Sequence, residues 1–181
     1  MAADNTHIDY EKLVERYQQG EQQALKVLIL EFHPRLCRTI GYYTGDSEPV
    51  DDLAQECWYD IIRELTYLQL KISFSAWALT IARRKAIDWI RQQQRNRKKM
   101  EAVEQQSRTD SNNHADEEQG RLHKVRKGIS QLPESQRIVL KMFYLDNLSI
   151  NEIGQVLEIS VGTVKSRLYY AREELKELID N

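Results

Sequence analysis

Basic, hydroxyl and aromatic side chains crowd one short stretch near the end of the chain. They are Thr163, Lys165, Ser166, Arg167, Tyr169, Tyr170 and Arg172. Lysine and arginine donate hydrogen bonds to phosphate oxygens and to the edge of guanine, and serine and threonine hydroxyls bind either kind of group. These side chains could therefore contact both the backbone and the bases of DNA, provided that a rigid element presents them together.

The surrounding residues predict two short helices that would supply such an element. Ser149 and Glu152 have the spacing of a capping box, and apolar residues at helical spacing follow them. A tight connection precedes a second helix that begins near Val161, with Ser160 or Thr163 as its cap. The apolar stripe predicted for this helix is Val164, Leu168, Ala171, Leu175 and Leu178. The pattern is typical of a helix-turn-helix motif. An ordinary helical hairpin is the less favoured alternative, because so many positions agree.

A longer helix, predicted from Ser73 to Gln94, carries a second set of candidates. Its predicted buried stripe contains Phe74, Trp77, Ala78, Ile81, Ala82 and Trp89, with Ala86 and Ile90 at one margin. A separate flank contains Thr80, Arg84, Ile87 and Arg91. Hydroxyl and guanidinium groups can hold phosphates, and nearby aromatic rings can stack on unpaired bases. Trp77 and Trp89 are interpreted as core residues, because both lie in the apolar stripe.

A third helix, predicted from Val50 to Leu65, has two contrasting faces. The apolar arc contains Val50, Leu53, Ala54, Cys57, Trp58, Ile61 and Leu65. The opposite side contains Asp52, Gln55, Glu56, Tyr59 and Arg63. Taken alone, such a polar face is usually only solvated.

Composition favours a soluble, mostly helical protein: 41% of the 181 residues are hydrophobic and 30% charged, with only 7 glycines and 3 prolines. The net charge of -2 does not indicate nucleic-acid binding, but the charged residues are unevenly distributed along the chain. Residues 1–82 hold 13 acidic and 7 basic side chains, whereas residues 83–99 hold 8 basic side chains and one aspartate. Opposite charge in adjacent segments indicates two surfaces with different partners, although a solvated basic face is a common alternative.

A change in composition divides the chain. Residues 101–120 are polar and lack any periodic apolar residue, which is typical of a flexible linker. We therefore predict an all-α fold of two small helical domains, residues 1–97 and 122–181, joined by a flexible linker over residues 98–121. Each domain is small enough that its core should be modest.

The two cysteines, Cys37 and Cys57, fit a reduced cytosolic protein better than a disulfide scaffold. His33 and Cys37 are four residues apart, but two ligands do not make a zinc site, so both are interpreted as packing residues.

Neither a signal peptide nor an apolar run long enough to span a bilayer is present in the sequence, so a cytoplasmic protein is expected. We predict no bound metal, no cofactor and no small-molecule substrate, because the chain has no glycine-rich phosphate loop, nucleophile–base pair or metal-spaced cluster.

Four segments together resemble bacterial RNA polymerase sigma factors of the sigma-70 family. They are residues 52–56 (DLAQE), 74–91 (FSAWALTIARRKAIDWIR), 132–137 (LPESQR) and 161–168 (VGTVKSRL). The resemblance is to the extracytoplasmic-function (ECF) group in particular, which keeps only conserved regions 2 and 4, joined by a linker. It covers nearly the whole chain in the expected order, which makes it far more specific than any single motif.

The resemblance implies a non-enzymatic specificity subunit, with residue roles as follows. Asp52, Leu53, Gln55 and Glu56 match the segment that docks on the beta-prime clamp helices of core RNA polymerase. The positions that match the part that opens and recognises the -10 element are Thr80, Arg83, Arg84, Ile87 and Arg91, with the loop 67–73 before them. The stretch 163–172 matches the helix that enters the major groove at the -35 element. Implied partners are core polymerase, including its beta flap, promoter DNA and an anti-sigma factor.

Two positions depart from the family's pattern. Glu158 occupies the inter-helix turn where glycine is common, and a turn that keeps a positive φ would be strained there. Tyr170 stands where a basic residue is frequent.

Two other classes of function stay open. One is a stand-alone helix-turn-helix regulator, but such a protein has no need of an acidic docking helix. The other is a helical adaptor that binds only protein, but that function leaves the arginine flank unexplained.

Overall fold

The computed structural model describes residues 8–45, 49–69, 73–101 and 120–180, and every regular element within those ranges is an α-helix. The helices are α1 (Tyr10–Gln18), α2 (Gln22–Thr44), α3 (Pro49–Leu65), α4 (Phe74–Glu101), α5 (Gly120–Gln131), α6 (Glu134–Tyr144), α7 (Ile150–Leu157) and α8 (Val161–Asp180). Among these helices, none is long and apolar enough to cross a membrane.

The chain divides into two compact units. The first contains α1 to α3 and α4 as far as Asp88, and the second contains α5, α6, most of α7, and α8. The predicted all-α fold of two helical domains is confirmed. Helix α4 continues to Glu101, beyond its predicted end near Gln94. Most of the predicted linker, residues 102–119, lies outside the described residues.

Aromatic rings form the centre of the first unit. Phe32 of α2 is fully buried and meets Phe74 of α4 edge-on at 4.9 Å between ring centroids. Tyr10 of α1 lies 5.0 Å from Phe32, and Trp58 of α3 lies 6.5 Å from it, both also edge-on. Edge-to-face contacts of this kind add to the free energy gained from burying the rings. All four helices of this unit therefore converge on Phe32.

Side chains of α1 hold the ends of α3 and α4. The amide of Gln18 donates hydrogen bonds to the carbonyls of Leu65 (2.8 Å) and Leu68 (2.9 Å), where α3 ends. The carboxylate of Glu11 accepts the backbone N–H of Phe74 (2.9 Å), where α4 begins. Terminal backbone groups lack partners inside a helix, so these bonds satisfy groups that would otherwise need water. Helix α1 thus fixes where α3 ends and where α4 begins.

The second unit is built on α8. Helices α5 and α6 both pack against it, with Leu132, Leu140 and Ala171 buried where they meet. A β-carbon at Gly128 of α5 would lie 2.8 Å from Leu175 Cδ1, so glycine permits the close approach of α5 to α8. The predicted stripe of α8 is confirmed at Val164, Leu168 and Ala171, which are buried, whereas Leu178 at its end is 37% exposed.

The apolar stripe predicted for α4 is partly wrong. The buried apolar residues of this helix are Phe74, Ala76, Ala78, Leu79, Ala82 and Ala86. Trp77, Ile81 and Trp89 are only half-buried, so the buried face is rotated towards Leu79 and Ala86. Small alanines leave room for close helix packing, and the large indole rings fit better at the margin of the core. Trp77, two helical turns before Arg84, consequently lies on the same side of α4 as the predicted flank.

Candidate nucleic-acid interface

The predicted capping box starts α7. The backbone N–H of Glu152 donates to Ser149 Oγ (3.2 Å), and the backbone N–H of Ser149 donates to Glu152 Oε2 (2.9 Å). Two amide groups that have no partner within the helix are thereby satisfied. Ile153 and Val156 are fully buried, so α7 is held both by its cap and by its apolar face.

The turn between α7 and α8 has the positive φ that was expected to be strained at Glu158. Glu158 adopts φ +58°, and the N–H of Ile159 donates to the carbonyl of Gly154 (3.0 Å), as in a Schellman helix end. A β-carbon at Gly154 would lie 3.1 Å from the Ile159 carbonyl oxygen, so this glycine admits the close return of the chain. Ser160 Oγ then accepts the N–H of Thr163 (3.1 Å) and caps α8.

Replacing Glu158 with glycine should stabilise the helix-turn-helix unit. A non-glycine residue in the left-handed region costs roughly 1 kcal/mol, and Glu158→Gly removes that cost. Glu158→Ala is the matched control, because it deletes the same side chain and keeps the β-carbon. Native-state hydrogen exchange of α7 and α8 amides in the full-length protein should give the glycine variant an opening free energy about 1 kcal/mol above that of the alanine variant. Equal values would contradict strain at this turn.

The predicted contact residues of α8 surround its buried stripe. Lys165, Ser166, Tyr169 and Tyr170, together called the reading face, are exposed, and the two tyrosine rings meet edge-on at 5.5 Å. Thr163 and Arg167 are half-buried, and Thr163 Oγ1 lies 2.8 Å from the capping Ser160 Oγ. Arg172 is exposed and its guanidinium lies over two aromatic rings of α6. The structure thus brings all seven candidates to the accessible side or margin of one helix.

On α4, the arginines of the flank are accessible. Arg84 and Arg91 are exposed, and Thr80 and Ile87 are half-buried. The Thr80 hydroxyl donates to the Ala76 carbonyl (2.7 Å), so towards a ligand it can act only as an acceptor. Arg83 is half-buried and, by helical geometry, about 100° around the helix from Arg84, at the edge of this surface.

The loop 67–73 precedes α4, and Trp77 lies beside the flank of that helix. In the predicted recognition loop, Tyr67 is 85% exposed, while residues 70–72 lie outside the described residues. Trp77 was assigned to the core from its spacing, and its place beside the flank was missed. The sequence did contain an indication of the true buried face: Leu79 is apolar, but the predicted stripe left it out.

Helix α3 presents Asp52, Gln55 and Glu56 as an exposed acidic surface, called the docking face. Leu53, which was also predicted to bind core polymerase, is only 6% exposed, because it points into the core with the rest of the apolar arc. From this position it can support the docking face from beneath.

An ion-pair network adjoins the docking face. Lys85 Nζ of α4 lies 3.2 Å from Glu56 Oε2 and 3.0 Å from Asp60 Oδ2. The hydrogen bond to Asp60, more than that to Glu56, raises the pKa of the Lys85 ammonium. Sequence reasoning missed this network because its members lie on different helices. Part of the charge of Glu56 is thus already balanced within the protein.

His33 and Cys37 of α2 come together with Asp51 of α3, with potential ligand atoms within 4.8 Å of one another. The indole N–H of Trp58 donates to His33 Nδ1 (3.2 Å), which places the imidazole proton on Nε2, facing Cys37 Sγ at 3.4 Å. A metal on Nε2 would displace that proton and oppose the Trp58 bond, so this geometry favours packing over ligation. Burial raises the pKa of both thiols, that of Cys57 to about 12, so both are protonated at neutral pH.

Comparison with known proteins bears on these surfaces. The family model for Sigma-70 region 2 matches residues 28–96, and the model for Sigma-70 region 4 matches residues 122–175. The chain belongs to the sigma-70 family. Sigma regions 2 and 4 mediate binding to RNA polymerase and recognition of the -10 and -35 promoter elements, and sigma factors are non-enzymatic initiation factors.

Similar full-length proteins place this sigma factor in the ECF group, as predicted. It is 25% identical over 177 residues to the ECF RNA polymerase sigma factor SigW of Bacillus subtilis, covering 92% of this chain and 94% of that protein. It is 28% identical over 173 residues to the ECF RNA polymerase sigma-E factor of Escherichia coli K12, covering 90% of each.

Two solved structures share the fold of this sigma factor. One is the sigma factor RpoE in complex with the anti-sigma factor NepR from Bartonella quintana, with a TM-score of 0.66 and 20% identity over 86% of this chain and 96% of that one. The other is CnrH in complex with the cytosolic domain of CnrY, with a TM-score of 0.64 and 21% identity over 95% and 98%.

Proposed function

We propose that this ECF sigma factor docks on core RNA polymerase through the docking face of α3, opens promoter DNA along the α4 flank, and recognises the -35 element through the reading face of α8. The observation that carries the proposal is the match to regions 2 and 4 in order, with exposed side chains of suitable chemistry on the helix of each region. The phosphodiester chemistry is left to the core enzyme, and the sigma factor acts where that enzyme is, in the cytoplasm.

Charge and exposure support each assignment. Asp52, Gln55 and Glu56 offer carboxylates and an amide to a basic partner such as the beta-prime clamp helices, and Leu53 holds that surface in place from beneath. The Arg84 and Arg91 guanidinium groups can bind phosphates of the -10 region while Trp77 lies beside them as a surface on which an unpaired base could stack. The second unit would contact the polymerase's beta flap in addition to -35 DNA.

An anti-sigma factor is a further proposed partner. The solved structures that share this fold are described as complexes of a sigma factor with an anti-sigma factor and of CnrH with the cytosolic domain of CnrY. Both were captured with a second protein bound, which supports a similar partner for this chain. Co-purification of tagged chain from its native cells, with and without core polymerase, would test this point.

Run-off transcription with purified core polymerase, followed by sequencing of the templates selected from a genomic library, tests the main proposal. The full-length chain should direct initiation from templates that share a -35 and a -10 motif. Binding of the chain alone to palindromic sites, without any core-dependent initiation, would instead support a stand-alone regulator.

Substituting Lys165 should change sequence preference at the -35 element. A base-edge contact contributes roughly 1–3 kcal/mol of discrimination, whereas a phosphate contact weakens binding to all sequences alike. Selection by the holoenzyme from a randomised -35 library should therefore show relaxed preference at one or two base pairs for Lys165→Ala. Lys176→Ala, which removes an exposed lysine nearer the end of the same helix, is the control. An unchanged motif with lower yield would make Lys165 a backbone contact and move base recognition to Ser166 or the tyrosines.

A further inference from the structure

Arg172 of α8 makes an unusual contact for a residue expected to face DNA. Its guanidinium carbon lies 5.5 Å from the ring centroid of Phe143 and 5.6 Å from that of Tyr144, two consecutive residues at the end of α6. The two rings meet edge-on, with their centroids 5.0 Å apart. Phe143 and Tyr144, called the aromatic pair, therefore provide a surface from the neighbouring helix against which the Arg172 side chain rests.

The aromatic pair is held firmly by the backbone around it. The N–H groups of Leu145 and Asp146 both donate to the carbonyl of Lys141, at 2.8 and 3.3 Å, and the N–H of Leu148 donates to that of Met142 at 3.1 Å. Met142 itself is fully buried in the core. These bonds close the C-terminal end of α6 and fix the direction in which the two rings leave it.

Contact with aromatic rings leaves the hydrogen-bonding capacity of a guanidinium intact. Its five N–H groups lie in the plane of the group, so an arginine that rests on ring faces or edges can still direct two parallel donors at one phosphate. Because the side chain is already restrained, binding loses less rotamer freedom than it would for an arginine that extends freely into water. A lysine, whose charge is compact and whose stem is flexible, would gain much less from the same surroundings.

We propose that the aromatic pair positions Arg172 to grip a phosphate of the DNA backbone at the -35 element. Phe143 and Tyr144 are then positioning residues for promoter binding, although they lie on α6, outside the helix-turn-helix. The inference rests on the proposed entry of α8 into the -35 major groove. It adds that the affinity for promoter DNA, and not the base preference, depends on the aromatic pair of α6.

A double-mutant cycle with the full-length chain in holoenzyme tests the inference. Tyr144→Leu is the principal variant, because Tyr144 is 52% exposed and its loss should leave the core intact. Affinity for a -35-dependent promoter should fall roughly three- to tenfold for Tyr144→Leu, a range set by the strength of cation–π contacts. The same substitution should have little effect in an Arg172→Ala background. Leu145→Ala, at an exposed neighbouring position, is the control and should bind normally.

Two further readouts separate positioning from a merely structural role. Arg172→Ala should lower the slope of log affinity against log salt by about one, as expected for the loss of one phosphate contact. Arg172→Lys should retain the charge but lose most of its coupling to Tyr144. Additive effects of Tyr144→Leu and Arg172→Ala, or a Tyr144→Leu variant that loses only thermal stability, would overturn the inference.

The same experiment distinguishes this failure from failure of the proposed function. If the unaltered holoenzyme discriminates between promoters with and without a -35 motif, α8 retains its proposed role whatever the cycle shows. If it does not discriminate, the proposed function itself fails at this element.

Discussion

The double substitution Asp52→Arg with Glu56→Arg is expected to abolish productive binding to core polymerase at concentrations where the unaltered chain is saturated. Both side chains are exposed on the same face of α3, and reversal of their charge places like charges against a basic partner. Like-charge contacts at an interface cost several kcal/mol, so the dissociation constant should rise at least about a hundredfold. Fluorescence anisotropy of labelled chain titrated with core enzyme measures the change directly.

The control for this experiment reverses two exposed carboxylates outside the docking face. Glu15→Arg with Glu31→Arg makes the same change in net charge on α1 and α2. It should leave core binding within about twofold, because exposed charges outside an interface contribute little to affinity. Loss of the Lys85–Glu56 ion pair should cost at most about 1 kcal/mol of stability, since Glu56 is largely exposed and Lys85 keeps Asp60. A folded docking variant that binds core as tightly as the control would remove the assignment.

The second large effect is expected at promoter opening. Arg84→Ala with Arg91→Ala removes both exposed guanidinium groups of the α4 flank. A hydrogen bond to a charged group is worth roughly 1.5–3 kcal/mol, so losing two such contacts should reduce the open complex by at least about a hundredfold. Permanganate footprinting of holoenzyme on a promoter selected by the unaltered chain measures unpaired thymines in the -10 region.

Arg97→Ala is the matched control for this variant. It removes the same kind of exposed side chain from the same helix, but about 140° around the axis from Arg84. We expect normal strand opening for Arg97→Ala and unchanged -35 protection for all of these variants. Normal opening in the Arg84 and Arg91 variant would assign melting to another surface, with the connection between α3 and α4 as the next candidate.

Features that depend on near neighbours in the chain were predictable from the sequence. The Ser149–Glu152 capping box, the two faces of α3 and the strained turn at Glu158 each depend on residues within one or two helical turns, where periodicity and backbone preference carry the information. The family resemblance then implied roles for those elements.

Contacts between helices were not predictable in the same way. The Lys85–Glu56 pair joins residues 29 positions apart, and Arg172 rests on Phe143 and Tyr144 of another helix. Such pairs depend on the rotation of each helix about its own axis, which a stripe of apolar residues fixes only approximately. The misplaced stripe of α4 shows the size of that error, because a modest rotation moved Trp77 from the buried face to its margin, on the side of the flank. The burial of Leu53 was harder to foresee for a different reason: a motif match does not distinguish residues that touch a partner from residues that support them, so its predicted role in binding stays a prediction.

The bonds from Gln18 and Glu11 of α1 have a consequence for how promoter preference can diverge. They hold the end of α3 and the start of α4 from outside the connection that joins these helices in the chain. Because these bonds use backbone groups of Leu65 and Phe74, they do not require a particular side chain at either position. We therefore expect mutations in the connection between α3 and α4 to alter base preference while the proposed docking face and the α4 flank stay in place. In evolutionary terms, we expect α1 to let promoter preference diverge while the ends of the two helices stay fixed.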